Sequence, residues 1–285
     1  MHQGRASLIR LRADERPARG AIMQRYSLFK LGCASSVDYY ARRLLRTLTQ
    51  GLCAWSETTW VITGPAITAV PAAANLLAWR IERLSKSEGS RPILTIRNIR
   101  KMPEADWLSK THYAQLNHAA RRKWQQHSRT LWRAHEWFNG ANIILVNDVY
   151  VTGAQEEELR ECFARAGVAR VHWLYIAEFD VIGATRASTL ETGINDFRVP
   201  SVNEFVNFLS NGSFTPTTKL VWRLFALGVD DFKRAIESLE PRQKTQIHNF
   251  VRRNGSISNA HLCEKLRWLE SGKSLFHRRK VKPKD

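Results

Sequence analysis

The sequence predicts an α/β fold, a doubly wound and mostly parallel sheet, with a helical C-terminal part. Three observations carry this. Between residues 59 and 179, short apolar runs each lead through a turn into a stretch of helical periodicity. One of these runs, Ile143 to Val146, is too short for a helix and is bounded by polar residues, as a buried strand would be. From about Pro200 the strand signals stop, and only helical periodicity follows.

Taken in order, residues 1–25 are basic and unpatterned, with Arg5, Arg10, Arg12, Arg16, Arg19 and Arg25, and read as an N-terminal arm. Ser35 or Ser36 is a candidate cap for a helix with Tyr39 or Tyr40, Leu44, Leu45 and Leu48 on one face. Thr59 to Thr63 is a strand, Gly64 and Pro65 a turn, and Ala72 to Leu84 a helix. Pro92 to Lys101 is a second strand with basic residues at its end. The interval 97–133 carries Arg97, Arg100, Lys101, Lys110, Arg121, Arg122, Lys123, Arg129 and Arg133 against Glu104 and Asp106, with Trp107, Trp124 and Trp132 interleaved. Aromatics among cations can stack on bases or simply pack helices. Next come the strand from Ile143, with Asn147 and Asp148 at its end, a turn at Thr152 and Gly153, and a helix from Gln155 to Ala166. Val168 to Phe179 is a further strand, making at least four parallel strands. Helices are expected at 203–209, 217–227, 230–239, 242–251 and 258–268, with Thr217, Asp230 and Ser258 as caps. The tail, 273–285, holds Lys273, Arg278, Arg279, Lys280, Lys282 and Lys284.

Composition narrows the class. A chain of 285 residues with 44% hydrophobic residues, 10 Trp and 12 Phe can bury a sizeable core. Its 44 Lys and Arg against 26 Asp and Glu give a formal charge of +18, which attracts polyanions or serves only as a basic surface. Cys33, Cys53, Cys162 and Cys263 form no Cys-x-x-Cys pair, so reduced cytoplasmic thiols are expected rather than a secreted disulfide framework. No signal peptide or membrane span is evident, so no membrane partner is expected. His112, His118, His127 and His135 have no i, i+4 pairing and no Cys beside them, which argues against a zinc site.

The organising stretch is Ile143 to Gln155. A ligand in such a sheet binds at the carboxyl ends of the strands. There a carboxylate can take sugar hydroxyls, while the N–H groups of a following turn and helix face a phosphate. The run Ile-Leu-Val-Asn-Asp-Val-Tyr-Val-Thr-Gly-Ala resembles the phosphoribosyl-pyrophosphate (PRPP) motif of type I phosphoribosyltransferases, and within them the competence-protein branch. Lys30-Leu-Gly32 ahead of the Tyr-Ala-x-x-Leu helix resembles the entry of related bacterial proteins. Leu116-Asn-His-Ala-Ala-Arg-Arg resembles that branch's Leu-Ser-x-x-x-Arg pattern.

The resemblance implies a phosphoribosyltransferase-like domain at 26–198, and the residues beyond it read as a helical region at 199–272 and a basic tail at 273–285. It places Asp148 and Asn147 at the ribose, and Thr152, Gly153, Ala154 and Gln155 around the 5′-phosphate. Gly64, Pro65 and Ala66 would form the pyrophosphate loop. Arg97, Lys101, Arg121 and Arg122 would belong to a basic hood, with magnesium brought by PRPP rather than held by protein ligands. The substrate would be a phosphorylated ribose, with transfer or cleavage at carbon 1.

Three departures qualify this. Asn147 replaces an acid, Val151 cannot act as a base toward a nucleobase, and Gln155 replaces a compact hydroxyl donor. Losing one such electrostatic contact typically costs about two to three orders of magnitude in rate. The competing expectation is therefore an anti-phage or retron-type effector that uses the fold under control of bound RNA or single-stranded DNA. The helical C-terminal region would then serve a partner protein or a second copy.

Overall fold

The computed structural model describes residues 2–11, 25–51, 59–67, 69–90, 92–100, 136–180, 194–195, 197–254 and 263–270. The hood residues Lys101, Arg121 and Arg122, the cap Ser258 and the basic tail lie outside them.

Five parallel strands form one sheet in the order β1-β5-β4-β2-β3. They are β1 (His2–Leu11), β2 (Trp60–Thr63), β3 (Leu94–Ile96), β4 (Asn142–Tyr150) and β5 (Arg170–Phe179). Helices α1 (Tyr26–Lys30), α2 (Ala34–Gly51) and α3 (Ala73–Ser87) precede β3, and α4 (Ala154–Arg165) joins β4 to β5. Alternation along β4 sends its side chains to two cores, because successive residues of a strand face opposite ways. Ile144 and Val146 pack with Tyr40, Leu44 and Leu48 of α2 and Leu77 and Ile81 of α3. Ile143 and Leu145 pack with Leu159 and Phe163 of α4 and with Trp173 and Tyr175 of β5. Helices therefore cover both faces of the sheet, as a doubly wound fold requires.

Three expectations need correction. The N-terminal arm contains a strand: residues 2–11 pair in parallel with β5, from His2 against Arg170 to Leu11 against Phe179. Its polar text suits an edge strand, where charged side chains discourage pairing with other chains. Ser7 donates to Glu178 at 3.1 Å, and Arg10 lies 3.8 Å from the same carboxylate. Second, β4 does not end at Asn147 but runs on to Tyr150, because β5 continues beside it, pairing Val149 with Ala177 and Tyr150 with Glu178. Third, α2 begins at Ala34, ahead of Ser35 and Ser36, where the Ala34 N–H donates to the Ser213 carbonyl at 2.9 Å. Of the two tyrosines left open, Tyr40 is the buried one.

The C-terminal helices α5 (Val202–Asn211), α6 (Thr218–Ala226), α7 (Val229–Glu237), α8 (Pro241–Asn254) and α9 (263–270) build a further core around Phe205, Leu224, Phe232 and Val251. Ser201 and Glu204 form a reciprocal capping box on α5, their N–H groups donating to each other's side chains at 3.0 and 3.2 Å. Thr217 caps α6 as expected, accepting from the Leu220 N–H at 3.2 Å, whereas α7 takes Gly228 as its cap and places Asp230 in the first turn. Leu31 and Val70 of the α/β part belong to this core, so the two parts share buried surface. Among the described residues, no helix is long and apolar enough to cross a membrane. Cys33, Cys162 and Cys263 carry free thiols.

Candidate functional site

The strand order reverses between β2 and β4: from β2 the chain moves to β3 on one side and later returns to β4 on the other. The crevice outside the carboxyl ends of such a pair is where open α/β sheets bind ligands. Thr63, the last residue of β2, pairs with Leu145, so β4 projects beyond its neighbour. Asn147 and Asp148 are on that projecting part, next to the segment Gly64–Ala66 that leaves β2.

The turn after β4 is fixed by side chains. Asn147, buried in spite of its polarity, donates its amide to the Gln155 side-chain oxygen at 2.9 Å and accepts from the Asp148 N–H at 2.9 Å. Two of the three departures from the resembled motif, Asn147 and Gln155, therefore bond to each other, tying the first turn of α4 to the strand. Gly153 precedes α4 with φ +80°, and a Cβ there would lie 2.7 Å from the Tyr150 hydroxyl, so conformation and space both call for glycine. Ala154 is buried, while Thr152, Gly153 and Gln155 are half-buried. Val151 points into the core shared with α2 and α3, so it packs rather than faces the turn.

Asp148 meets a residue that lies far away in the sequence. Its carboxylate is ion-paired with the Lys30 ammonium at the end of α1, and each side chain is 19% exposed. Burial alone would raise the Asp148 pKa, but the Lys30 charge and hydrogen bond, with the N–H of Val149, hold it below the ordinary value. Lys30 was visible in the sequence only as part of the Lys-Leu-Gly segment, and nothing local aimed it at Asp148.

A second unpredicted cluster braces α4. Glu156, in its first turn and buried, accepts from Arg5 at 2.9 and 3.2 Å, from Arg160 at 2.7 Å and from the Tyr175 hydroxyl at 3.1 Å. The Arg5 guanidinium also stacks 3.9 Å over the Tyr150 ring. Edge strand β1 thus reaches the helix that begins at the turn. Burial, and then the Glu156 charge, raise the pKa of Tyr175 well above the ordinary value, which keeps its hydroxyl a donor.

At the end of β2, Gly64 serves its own helix. A Cβ there would lie 2.6 Å from the Asn75 amide nitrogen and 2.9 Å from the Asn75 backbone. That amide donates to the Pro65 carbonyl at 2.7 Å, and its oxygen accepts from the Ala72 N–H at 2.8 Å. The Ile67 N–H donates to Ile99 at 2.8 Å, so residues 64–67 are clamped on both sides. Arg97 is exposed beyond β3, with its N–H donating to the Ile62 carbonyl at 3.1 Å. Among the described residues, no three His, Cys, Asp or Glu side chains converge as metal ligands would.

A parallel sheet reversing at β2 and β4, with an acidic residue and a Thr-Gly turn on the projecting strand, defines a phosphoribosyltransferase-like architecture. The family model described as PRTase ComF-like matches residues 5–263, and the chain belongs to that family. Among solved structures, an alanine mutant from an analysis of an invariant aspartic acid in HPRTs is 10% identical. It covers 52% of this chain and 70% of its own, with a TM-score of 0.33. The hypoxanthine-guanine phosphoribosyltransferase of Schistosoma mansoni in complex with IMP is also 10% identical, covering 53% and 68%, with a TM-score of 0.31. Likenesses this low carry no residue correspondence. No curated protein matches the sequence.

Proposed function

We propose that the protein binds PRPP, or a nucleoside 5′-monophosphate, at the carboxyl ends of β2 and β4, with slow transfer or cleavage at ribose carbon 1. The observation that supports this most is the placement of Asp148 and the Thr152–Gly153 turn on the projecting end of β4, in a chain of the PRTase ComF-like family. In this reading Asp148 accepts from ribose hydroxyls, and Thr152 to Gln155, at the start of the twelve-residue α4, take the 5′-phosphate. Gly64 to Ala66 flank the pyrophosphate, and Arg97 stands at the end of the neighbouring strand. Magnesium enters as a substrate-borne ion on the pyrophosphate oxygens.

Carbon 1 loses pyrophosphate together with the bonding electron pair, and a nucleophile adds to the cationic sugar. The chain's own contribution is to hold the ribose and phosphate. The carboxylate of Asp148 is already balanced by Lys30, and Asn147 adds no charge, so stabilisation of the cation is weak and turnover slow. With Val151 packed in the core and unable to take a proton, little turnover of hypoxanthine, guanine or adenine is expected. Robust purine salvage would show that another residue supplies the base.

Thermal melting with magnesium tests the site. A ligand at about 100 times its Kd stabilises by about 2.7 kcal/mol, so PRPP or a nucleoside monophosphate should raise the melting temperature by several degrees. Asp148→Ala and Thr152→Ala should each shrink that rise. An unchanged melting temperature with every ligand at millimolar concentration would remove the assignment.

A further inference from the structure

We propose that Lys30 is a positioning residue of the ribose site, keeping the Asp148 carboxylate ionised and aimed, and that the C-terminal helices fix its seat through Thr217. The inference rests on the reading above that the turn after β4 takes a ribose phosphate, and it adds a residue and a dependence which that reading does not contain.

The geometry supports both halves. Lys30 is the last residue of the short helix α1 and crosses 118 positions of sequence to reach Asp148. So short a helix cannot place a long side chain by its own stability. Its end is instead held from the C-terminal part. The fully buried Thr217 donates its hydroxyl to the Lys30 carbonyl at 2.7 Å, and the same hydroxyl oxygen caps α6 by accepting from Leu220. Two residues on, Gly32 (φ +87°) accepts from the Thr215 N–H at 3.1 Å, and a Cβ at Gly32 would lie 2.0 Å from the Thr215 carbonyl oxygen. The Thr218 N–H donates to the Pro71 carbonyl at 3.0 Å, so the start of α6 also grips the segment leading from β2 to α3. The helical part is thereby joined to both segments that flank the site.

The chemistry follows from the surroundings of Asp148. An ionised carboxylate accepts sugar hydroxyls on both oxygens, and a protonated one gives up part of that capacity. Among the described residues, the charged group placed against Asp148 is Lys30, from α1. Asn147 on its own strand and Gln155 on α4 are uncharged, and Tyr26 of α1 holds its ring 5.8 Å from the Lys30 ammonium. With Lys30 removed, burial and not charge governs the carboxyl, which then takes a proton at a higher pH.

The test is the affinity of the full-length protein for PRPP with magnesium, measured calorimetrically from pH 4.5 to 8, with circular dichroism confirming the fold at each pH. The ligand's own titration is common to all variants and cancels in the comparison. In Lys30→Met an acid limb of binding should enter this pH range from below, where the lowered Asp148 pKa keeps the wild-type limb, and Lys30→Arg should return it toward the wild-type position. Thr217→Val, which keeps the ammonium but loosens its seat, should move the limb the same way by less. If Lys30→Met does not fold, Thr217→Val decides, since a moved limb supports the inference and an unmoved one overturns it. A limb at the wild-type pH in folded Lys30→Met also overturns it, leaving the ribose-phosphate reading intact. A wild-type protein that binds PRPP at no pH overturns both.

Discussion

The segment after β2 and the turn after β4 lie at adjacent strand ends, yet they are held by contacts of very different reach. Gly64 and Pro65 are fixed by Asn75, ten residues on, in the first turn of the helix that the segment itself enters. The turn after β4 is tied locally from Asn147 to Gln155, and it is also braced from afar by Lys30 on α1 and by Arg5 on β1. A local clamp survives loss of the rest of the fold better than a clamp assembled from three chain segments. The β4 turn is therefore expected to sense events at the N-terminal strand and the C-terminal helices, and the β2 segment far less.

The largest effect expected comes from the long-range side, where β1 meets β5. His172 on β5 pairs with Gly4 of β1, and a Cβ at Gly4 would lie 2.6 Å from the imidazole. Burial lowers the His172 pKa from 6.5 to about 4. The folded protein then stays neutral where the unfolded chain takes up a proton, so this contribution to stability is complete above about pH 6.5 and declines as the pH falls toward 4. The loss amounts to about 3 kcal/mol. Chemical denaturation at pH 7 and pH 4.5 should show it, and His172→Phe should flatten the difference. An equal pH dependence in that variant would remove His172 as the cause.

Next in size is the direct contrast between the two clamps. Glu156→Ala leaves the buried Tyr175 hydroxyl and the partly exposed Arg5 without their shared carboxylate, at a cost of about 2 kcal/mol after allowing for solvent at Arg5. Asn75→Ala frees the Pro65 carbonyl and the Ala72 N–H and costs about 1 to 2 kcal/mol. Hydrogen exchange separates the two. Glu156→Ala should speed exchange across β1 and the first turn of α4 together, whereas Asn75→Ala should affect only residues around 64–75. A spread of the Asn75→Ala effect to β1 would break the comparison.

The smallest effect concerns polyanions. The N-terminal arm is not a free tether that could be trimmed without harm, because residues 2–11 are part of the sheet. The informative variant trims 273–285 alone. Binding to RNA or single-stranded DNA should be salt-sensitive, by about −0.7 in log–log slope per phosphate contacted, and the trim should make that slope shallower. Anisotropy over a salt series checks it, and an unchanged slope would leave the formal charge of +18 as surface charge only.

The same difference in reach explains what the sequence revealed. The β4 turn was legible because a buried apolar run, two polar residues and Thr-Gly follow one another within a dozen positions. The C-terminal helices were legible through their apolar periodicity and, of the expected caps, through Thr217, whereas Asp230 gave way to Gly228. β1 was not, since Gly4, Arg5, Ser7 and Arg10 hide its period, and only pairing with β5 makes it a strand. The continuation of β4 through Val149 and Tyr150 likewise depends on its neighbour. Lys30 and Asp148 are both plain in the text, but their meeting is a property of the folded chain. Gly64, expected in the pyrophosphate loop, also leaves room for Asn75, which no local signal indicated.

A ribose-phosphate site at the turn after β4 would be organised on Asp148. Its most direct test is calorimetric titration of the intact protein with PRPP and magnesium near pH 7.5, beside Asp148→Asn, which keeps size and removes charge. Saturable binding by the wild type, weakened about tenfold or more in Asp148→Asn as expected for a charged hydrogen bond of about 1.5 to 3 kcal/mol, is the predicted result. Equal affinity in the two proteins, or no heat of binding in either, would contradict it.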